Sequence, residues 1–176
     1  MRPNISPPLT LNNNIIPFVN SVKYLGIHLD KRLTWATHIK TKKISLKLKL
    51  HSLRHLLRSN IPLNNKTLIY KQLIRPAITY GIQIWGSTKV SNLKLLQSFQ
   101  SINLRLLTQA SWYVRNNTLH NDLKIPYLSA FASTHYKKFH ANTLAHSLIS
   151  NLFSLTIPDN PPRRLKHNWP RDLLNK

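Results

Sequence analysis

Lys40, Lys42, Lys43, Lys47, Lys49, Arg54 and Arg58 follow one another through a stretch that contains no acidic residue. On a helix, cations three and four residues apart share a face, and such a row neutralises successive phosphates without reading bases. Lys40, Lys43, Lys47, Arg54 and Arg58 are therefore the group expected to meet a nucleic-acid backbone, with the solvated face of an ordinary core helix as the alternative. His51 and His55 stand four apart, a spacing that can present two ligands to one ion. No carboxylate or thiol lies near them in sequence to complete a shell and the glutamate of a zinc-protease motif is absent, so surface or phosphate-contacting histidines are expected and no metal site. His28, His38 and His120 show no nucleophile and acid partners in sequence. The four aspartates, Asp30, Asp122, Asp159 and Asp172, are scattered, and there is no glutamate and no cysteine. Phosphoryl transfer by two metals needs carboxylates that converge on the ions. No catalytic residue is expected in this chain.

The elements that would position these groups begin with short strands. Leu9–Leu11 and Ile15–Phe18 flank an Asn-rich turn, and Val22 to Leu29 reads as a third strand interrupted at Gly26. Pro17 weakens the second strand and marks an edge. Such a small antiparallel unit must pack on something else. From Thr34, a candidate N-cap, Trp35, Ile39, Leu46, Leu50, Leu53 and Leu57 recur at helical spacing. Leu63 to Trp85 is a second helical stretch, expected to kink at Pro76, with Gly81 and Gly86 offering close helix contact and a helix end. Val90 to Gln109 predicts a third helix with Leu93, Leu96, Phe99, Ile102 and Leu106 inward, and Tyr127 to Phe153 one or two more. Trp35, Tyr80, Trp85 and Trp112 are expected to fill the interior. At the Tyr24-Leu25-Gly26 site, the structural expectation is a tyrosine packed on the hairpin and a glycine that permits a bulge.

A formal charge of +22 with 41% hydrophobic residues points to a folded basic domain that meets nucleic acid. Met1 to Thr10 lacks the apolar core of a signal peptide, and the apolar stretch Ala77 to Trp85 is far too short to span a bilayer. A soluble intracellular protein, nuclear or cytoplasmic and without membrane contact, is expected.

Tyr24-Leu25-Gly26-Ile27-x-Leu29-Asp30, followed by Leu33-Thr34-Trp35 and His38-Ile39, resembles the segment after the polymerase palm in reverse transcriptases of jockey-type non-LTR retrotransposons. The likeness extends over Pro7 to Asn12, Leu68-Ile69-Tyr70-Lys71-x-Leu73-Ile74-Arg75-Pro76, Tyr80-Gly81-x-x-x-Trp85-Gly86, Leu95-Leu96-Gln97, Val114 to Leu123, Pro162 to Lys166 and Pro170 to Leu174. It implies the last part of an RNA-directed DNA polymerase, with the palm and its Mg²⁺-binding carboxylates and the endonuclease lying outside this chain. No cofactor is then expected within it. The fold class implied is mainly α: a helical thumb-like bundle with a small N-terminal antiparallel β element. The expected organisation is a β element like the primer-grip end of the palm (1–33), a thumb (34–110), a C-terminal helical extension (111–157) and a basic Pro-rich tail (158–176). In the primer-grip analogy, Gly26 lets the backbone approach a primer strand while Tyr24 and Leu25 support it. The partner implied is an RNA–DNA hybrid or RNA, and the isolated chain is not expected to polymerise. The alternatives are a stand-alone basic RNA- or DNA-binding module, which a start at Met1 favours, and a transposon relic without function.

Overall fold

Two separate hairpins open the chain in the computed structural model, which describes residues 9–149 and 170–174. Thr10–Leu11 (β1) pairs antiparallel with Asn14–Ile15 (β2), and Ser21–Tyr24 (β3) with Ile27–Asp30 (β4). Asn12 and Asn13 both have positive φ, as a two-residue hairpin turn of the I′ type requires, and asparagine tolerates that conformation. Leu25 and Gly26 do the same, at φ 46° and 77°. The expected single strand from Val22 to Leu29 is thus a hairpin folded at its midpoint. Its signal was hidden because leucine, which pays roughly 1 kcal/mol in the left-handed region, stands where asparagine is usual.

The first long helix, Ala36–Arg58 (α1), starts differently from the expectation. Trp35, at φ 63°, occupies the cap position, and the expected Thr34 stands one residue before it, its hydroxyl oxygen accepting from the Ala36 amide at 3.5 Å. The Thr34 hydroxyl also donates to the Asp30 carboxylate, whose other oxygen accepts from the Trp35 amide at 3.4 Å. A carboxylate there offsets the positive end of the helix and meets one of its free amides. Asp30→Ala is expected to lower stability by about 1–2 kcal/mol in urea denaturation, and Asp30→Asn, which keeps an acceptor, by less.

Leu63–Ile69 (α2) runs through a π turn at Tyr70–Ile74 into Arg75–Thr79 (α3), and Ile82–Trp85 (α4) follows a sharp bend at Tyr80 and Gly81. Pro76 was expected to kink one helix. The wider π turn just before it absorbs the missing amide and the ring's clash with the preceding turn, so the break falls at Gly81 instead. At Gly86 a Cβ would strike the Ile82 carbonyl and come within 3.0 Å of the Ala132 Cβ. Only glycine lets the end of α4 lie this close to the later helix Leu128–Leu144.

Between them run Val90–Thr108 (α5) and Asn116–Asp122 (α6), and Leu128–Leu144 is α7. The core joins Ile39, Leu46 and Leu57 of α1 to Ile78, Ile82 and Trp85, to Leu96, Leu104 and Leu107 of α5, and to Leu128 and Ala132 of α7. The fold is mainly α, as expected. On α5, Leu96 and Phe99 are buried and Leu93 and Leu106 pack against the core as expected, but Ile102 is exposed, while Gln100 and Asn103 are buried beside Leu104 and Leu107. Gln100 donates to the Pro126 carbonyl at 3.3 Å and Asn103 to the Phe99 carbonyl at 2.6 Å. With their amide NH2 groups placed on carbonyls in this way, these polar residues occupy core positions that a hydrophobic period assigns to solvent.

Gln97, also on α5, carries the next connection. Its side-chain oxygen accepts from the Leu128 amide at 2.8 Å, at the start of α7, and its amide group donates to His120 Nε2 at 3.1 Å. His120 Nδ1 donates to the Ile125 carbonyl at 2.7 Å, and the ring stacks on Tyr127 at 3.9 Å. Pro170–Leu173 forms a short turn whose Leu173 is buried, its carbonyl accepting from the Ser133 hydroxyl at 3.1 Å. The rest of the expected tail, with Pro162 to Lys166 and Asp159, lies outside the described residues, as do Leu152 and Pro7-Pro8.

Candidate nucleic-acid interface

Lys40, Lys43, Lys47, Arg54 and Arg58 fall on one stripe of α1, with His51 completing the three- and four-residue spacing. The stripe flanks the buried face. Where it meets α5 it forms a groove of about 460 Å³ lined by Lys47, His51, Arg54, Arg58 and Arg105 over a floor of Leu50, Ile102 and Leu106. No described carboxylate lines it. Lys40 and Lys43 sit on the same stripe before the groove begins. Ile102, expected in the core, is the floor here, and Arg105 is a groove cation that the α1 sequence pattern alone does not reveal.

Tyr24, Leu25 and Gly26 form the tip of the second hairpin, apart from that groove. Tyr24 is exposed and does not pack on the hairpin, and Gly26 makes no bulge. A Cβ on Gly26 would meet only Tyr80, at an ordinary 3.5 Å, so the turn's dihedral angle is what demands glycine there. The Tyr80 hydroxyl donates to the Leu25 carbonyl at 2.8 Å and holds the tip against α3. The structure therefore gathers the expected site residues into two places, a tip and a stripe. The apolar side chains Leu11, Val22 and Leu25 of the two hairpins and Phe18 between them are exposed, while β4, with Ile27 buried, packs on α1.

A second cavity, of about 410 Å³, lies between the hairpin and the opposite flank of α1, lined by Lys23, His28, His38, Lys42, Lys49 and Tyr80 among others. At its wall the Tyr80 carbonyl, freed where α3 ends, accepts from Lys42 Nζ and from Trp85 Nε1, each at 2.8 Å. Lys42 Nζ lies 4.8 Å from the centre of the Trp85 ring and 5.7 Å from that of Tyr80. Burial brings the ammonium down to about 8. His38 is buried alongside, its Nδ1 accepting from the His28 amide at 3.4 Å and its Nε2 without a partner. Burial first, then the charge of Lys42 and of His28, pushes this imidazole down to about 4.

The consequence is acid sensitivity. Between pH 6.5 and 4 an unfolded chain protonates His38 while the folded chain does not, so stability is full above this window and falls through it, by up to about 3 kcal/mol. Lys42 is charged in both states over that range; its own window, from about 8 to 10.5, is one in which stability rises with pH. Urea denaturation at pH 7 and pH 5 is expected to show the loss, and His38→Leu to reduce the difference between the two.

Of the four aromatics expected in the core, Trp35 and Trp85 are buried, but Tyr80 is half exposed and Trp112 stands in solvent. Among the described residues no group of three or more His, Cys, Asp or Glu side chains comes together that could hold an ion. His51 lines the groove, and His55 is exposed. No described helix is long and apolar enough to cross a membrane.

Comparison with known proteins gives the arrangement a context. The chain is 38% identical over 172 residues to the "Probable RNA-directed DNA polymerase from transposon X-element" of Drosophila melanogaster, covering 97% of this chain and 19% of that protein. It is 31% identical over 179 residues to the RNA-directed DNA polymerase from mobile element jockey of Drosophila funebris, covering 97% and 20%. It is 35% identical over 164 residues to the "Probable RNA-directed DNA polymerase from transposon BS" of Drosophila melanogaster, covering 92% and 18%. The chain thus spans about a fifth of the length of these relatives. No family model matches the sequence, and no solved structure matches it.

Proposed function

From the premise that this chain is, along nearly its whole length, a homologue of the jockey-type RNA-directed DNA polymerases of non-LTR mobile elements, of which it spans about a fifth, we propose that it holds the primer–template backbone. The observation that carries this function is the α1–α5 groove. Lys47, Arg54 and Arg58, on a stripe of α1 that Lys40 and Lys43 prolong, and Arg105 on α5 surround an apolar floor that no described carboxylate lines. Cations in a row grip phosphates of any sequence, as a polymerase that slides along its template requires. The hairpin tip, Tyr24-Leu25-Gly26, would meet the primer strand separately.

Polymerisation itself belongs to residues outside this span. Asp30 is committed to the start of α1, Asp122 ends α6 and Asp172 lies in the Pro170–Leu173 turn. These carboxylates do not fit a pair of Mg²⁺ ions, and the ions and the palm are assigned to the remainder of a longer polymerase. The exposed apolar side of the hairpins would rest on that remainder. An intracellular site of action, where template RNA and target DNA are found, goes with this assignment.

The test is binding of a blunt RNA–DNA hybrid to the purified chain over a range of salt. A steep fall in affinity with salt and little dependence on sequence are expected; binding that is absent or insensitive to salt would sink the proposal. A second function is favoured by the core, which α1 to α7 build from this chain's own residues: an independently folding RNA-binding module. Tighter binding of a single strand than of the blunt hybrid would favour it.

A further inference from the structure

Trp112 and Tyr113 are 88% and 71% exposed, the two largest exposures among the described aromatic residues. Their rings meet edge to face, 6.1 Å between centres, on the loop between α5 and α6. Two adjacent aromatic rings held in water are costly to display, and a flexible loop would turn them inward or leave them disordered. This loop is fixed by Arg105. Its guanidinium donates to the carbonyls of Ser111 at 2.7 Å, Trp112 at 3.4 Å and Val114 at 2.5 Å, and to the side-chain oxygen of Asn116 at 3.0 Å. Val114 packs against the core, and the Val114 amide closes a turn onto the Ser111 carbonyl at 3.2 Å. The exposed pair is therefore presented by a braced backbone.

The same arginine ties the pair to the basic groove. Arg105 lines the groove with Arg58 and Leu106, and all three also line a second depression of about 410 Å³ with Gln109 and Ala110, which leads towards the loop. Neutral oxygens accept from Arg105, and no described carboxylate lines the groove beside it and Arg58. A row of cations that ends at open aromatic faces is the chemistry of a single-strand site: the cations follow the phosphates, and unpaired bases stack on the rings. A protein partner seated on two rings rimmed by arginines would need acidic groups of its own and would gain little apolar area.

We propose that Trp112, supported by Tyr113, is a stacking platform for one or two unpaired bases of a strand that continues beyond a duplex held in the α1–α5 groove. The platform rests on the backbone-binding function proposed above and adds to it a ligand class, a duplex with a single-stranded extension. Because the loop is already ordered, stacking carries little ordering cost.

The experiment compares a blunt RNA–DNA hybrid with the same hybrid carrying a four-nucleotide overhang, of RNA in one arm and of DNA in another, for the unaltered chain and for Trp112→Ala and Trp112→Phe. The overhang is expected to tighten binding by about tenfold, in line with alanine substitutions at stacking sites. Trp112→Ala should abolish that gain, Trp112→Phe should keep most of it, and the blunt hybrid should bind all three chains alike. A gain in both arms fits a platform that reads base faces; a gain in one arm adds recognition of the sugar and still supports it. If the blunt hybrid binds but the overhang adds nothing, or if Trp112→Ala leaves the gain intact, the platform is overturned while the groove stands. If the blunt hybrid fails to bind, the groove itself is refuted. Self-association in sedimentation that Trp112→Ala removes would show a second copy to be the occupant and would overturn the platform too.

Discussion

Replacing Trp85 with alanine is expected to cost about 4 kcal/mol in urea denaturation followed by far-ultraviolet circular dichroism. Against a total stability of about 5–15 kcal/mol for a domain, that would leave a chain that is partly unfolded or close to it. The ring is fully buried, so its loss opens a cavity among α1, α4 and their neighbours. It also ends three other relations: the donation of Nε1 to the Tyr80 carbonyl at 2.8 Å, the face it offers Lys42 at 4.8 Å, and the contact with His38 at 5.9 Å. Lys42 would then keep only the Tyr80 carbonyl and the more distant Tyr80 ring, with its charge still largely desolvated. Trp85→Phe separates these effects. It preserves most of the volume and an aromatic face and loses the N–H, so a cost of about 1–2 kcal/mol is expected. Equal costs for the two variants would mean that the hydrogen bond, and not the volume, dominates.

Trp85 also shows how much a sequence discloses. Its burial was legible, because an aromatic at helical spacing beside two glycines belongs in a packed interior, and Gly86 does lie against Ala132. The end and buried stripe of α1 were legible for the same reason: Ile39, Leu46 and Leu57 repeat at the helix period with nothing competing. Elsewhere a local rule lost to a specific polar partner. On α5 only Ile102 was misplaced, because Gln100 and Asn103 find carbonyls inside the fold and take buried positions, which no pattern of apolar residues encodes. Trp112 was assigned to the core because its exposure depends on Arg105, seven residues earlier, bracing the loop from within. The cap of α1 was given to Thr34 because Asp30 reaches the start of the helix only through the turn after β4, in which the Leu33 amide donates to the Asp30 carbonyl at 2.8 Å. At the candidate site the α1 cations were visible as a row. Their companion Arg105 was hidden on another helix, and the node of Lys42, Tyr80 and Trp85 joins three segments whose proximity is a property of the fold.

Neutralising the groove is expected to have the largest effect on binding. In Lys47→Ala/Arg54→Ala/Arg58→Ala, three charges leave a single cavity. If each neutralises one phosphate, the slope of log affinity against log salt should fall by about 2.7, and affinity for a blunt RNA–DNA hybrid by on the order of a hundredfold or more at about 0.1 M salt. All three side chains are exposed, so the fold should tolerate the change; the circular dichroism spectrum of the variant verifies it. The necessary control is loss of charge elsewhere, since a chain with a net charge of +22 attracts any polyanion. Lys137→Ala/Lys138→Ala removes two exposed cations from α7, away from the groove lining. It should weaken binding only through the general field, severalfold at most, and leave the salt slope almost unchanged. A comparable loss of slope per charge in both variants would mean that the nucleic acid meets a diffuse cationic surface, and the groove would lose its claim as the binding site. A loss confined to the triple variant would place the phosphates along α1, where Arg105 on the facing helix contributes the next charge to test.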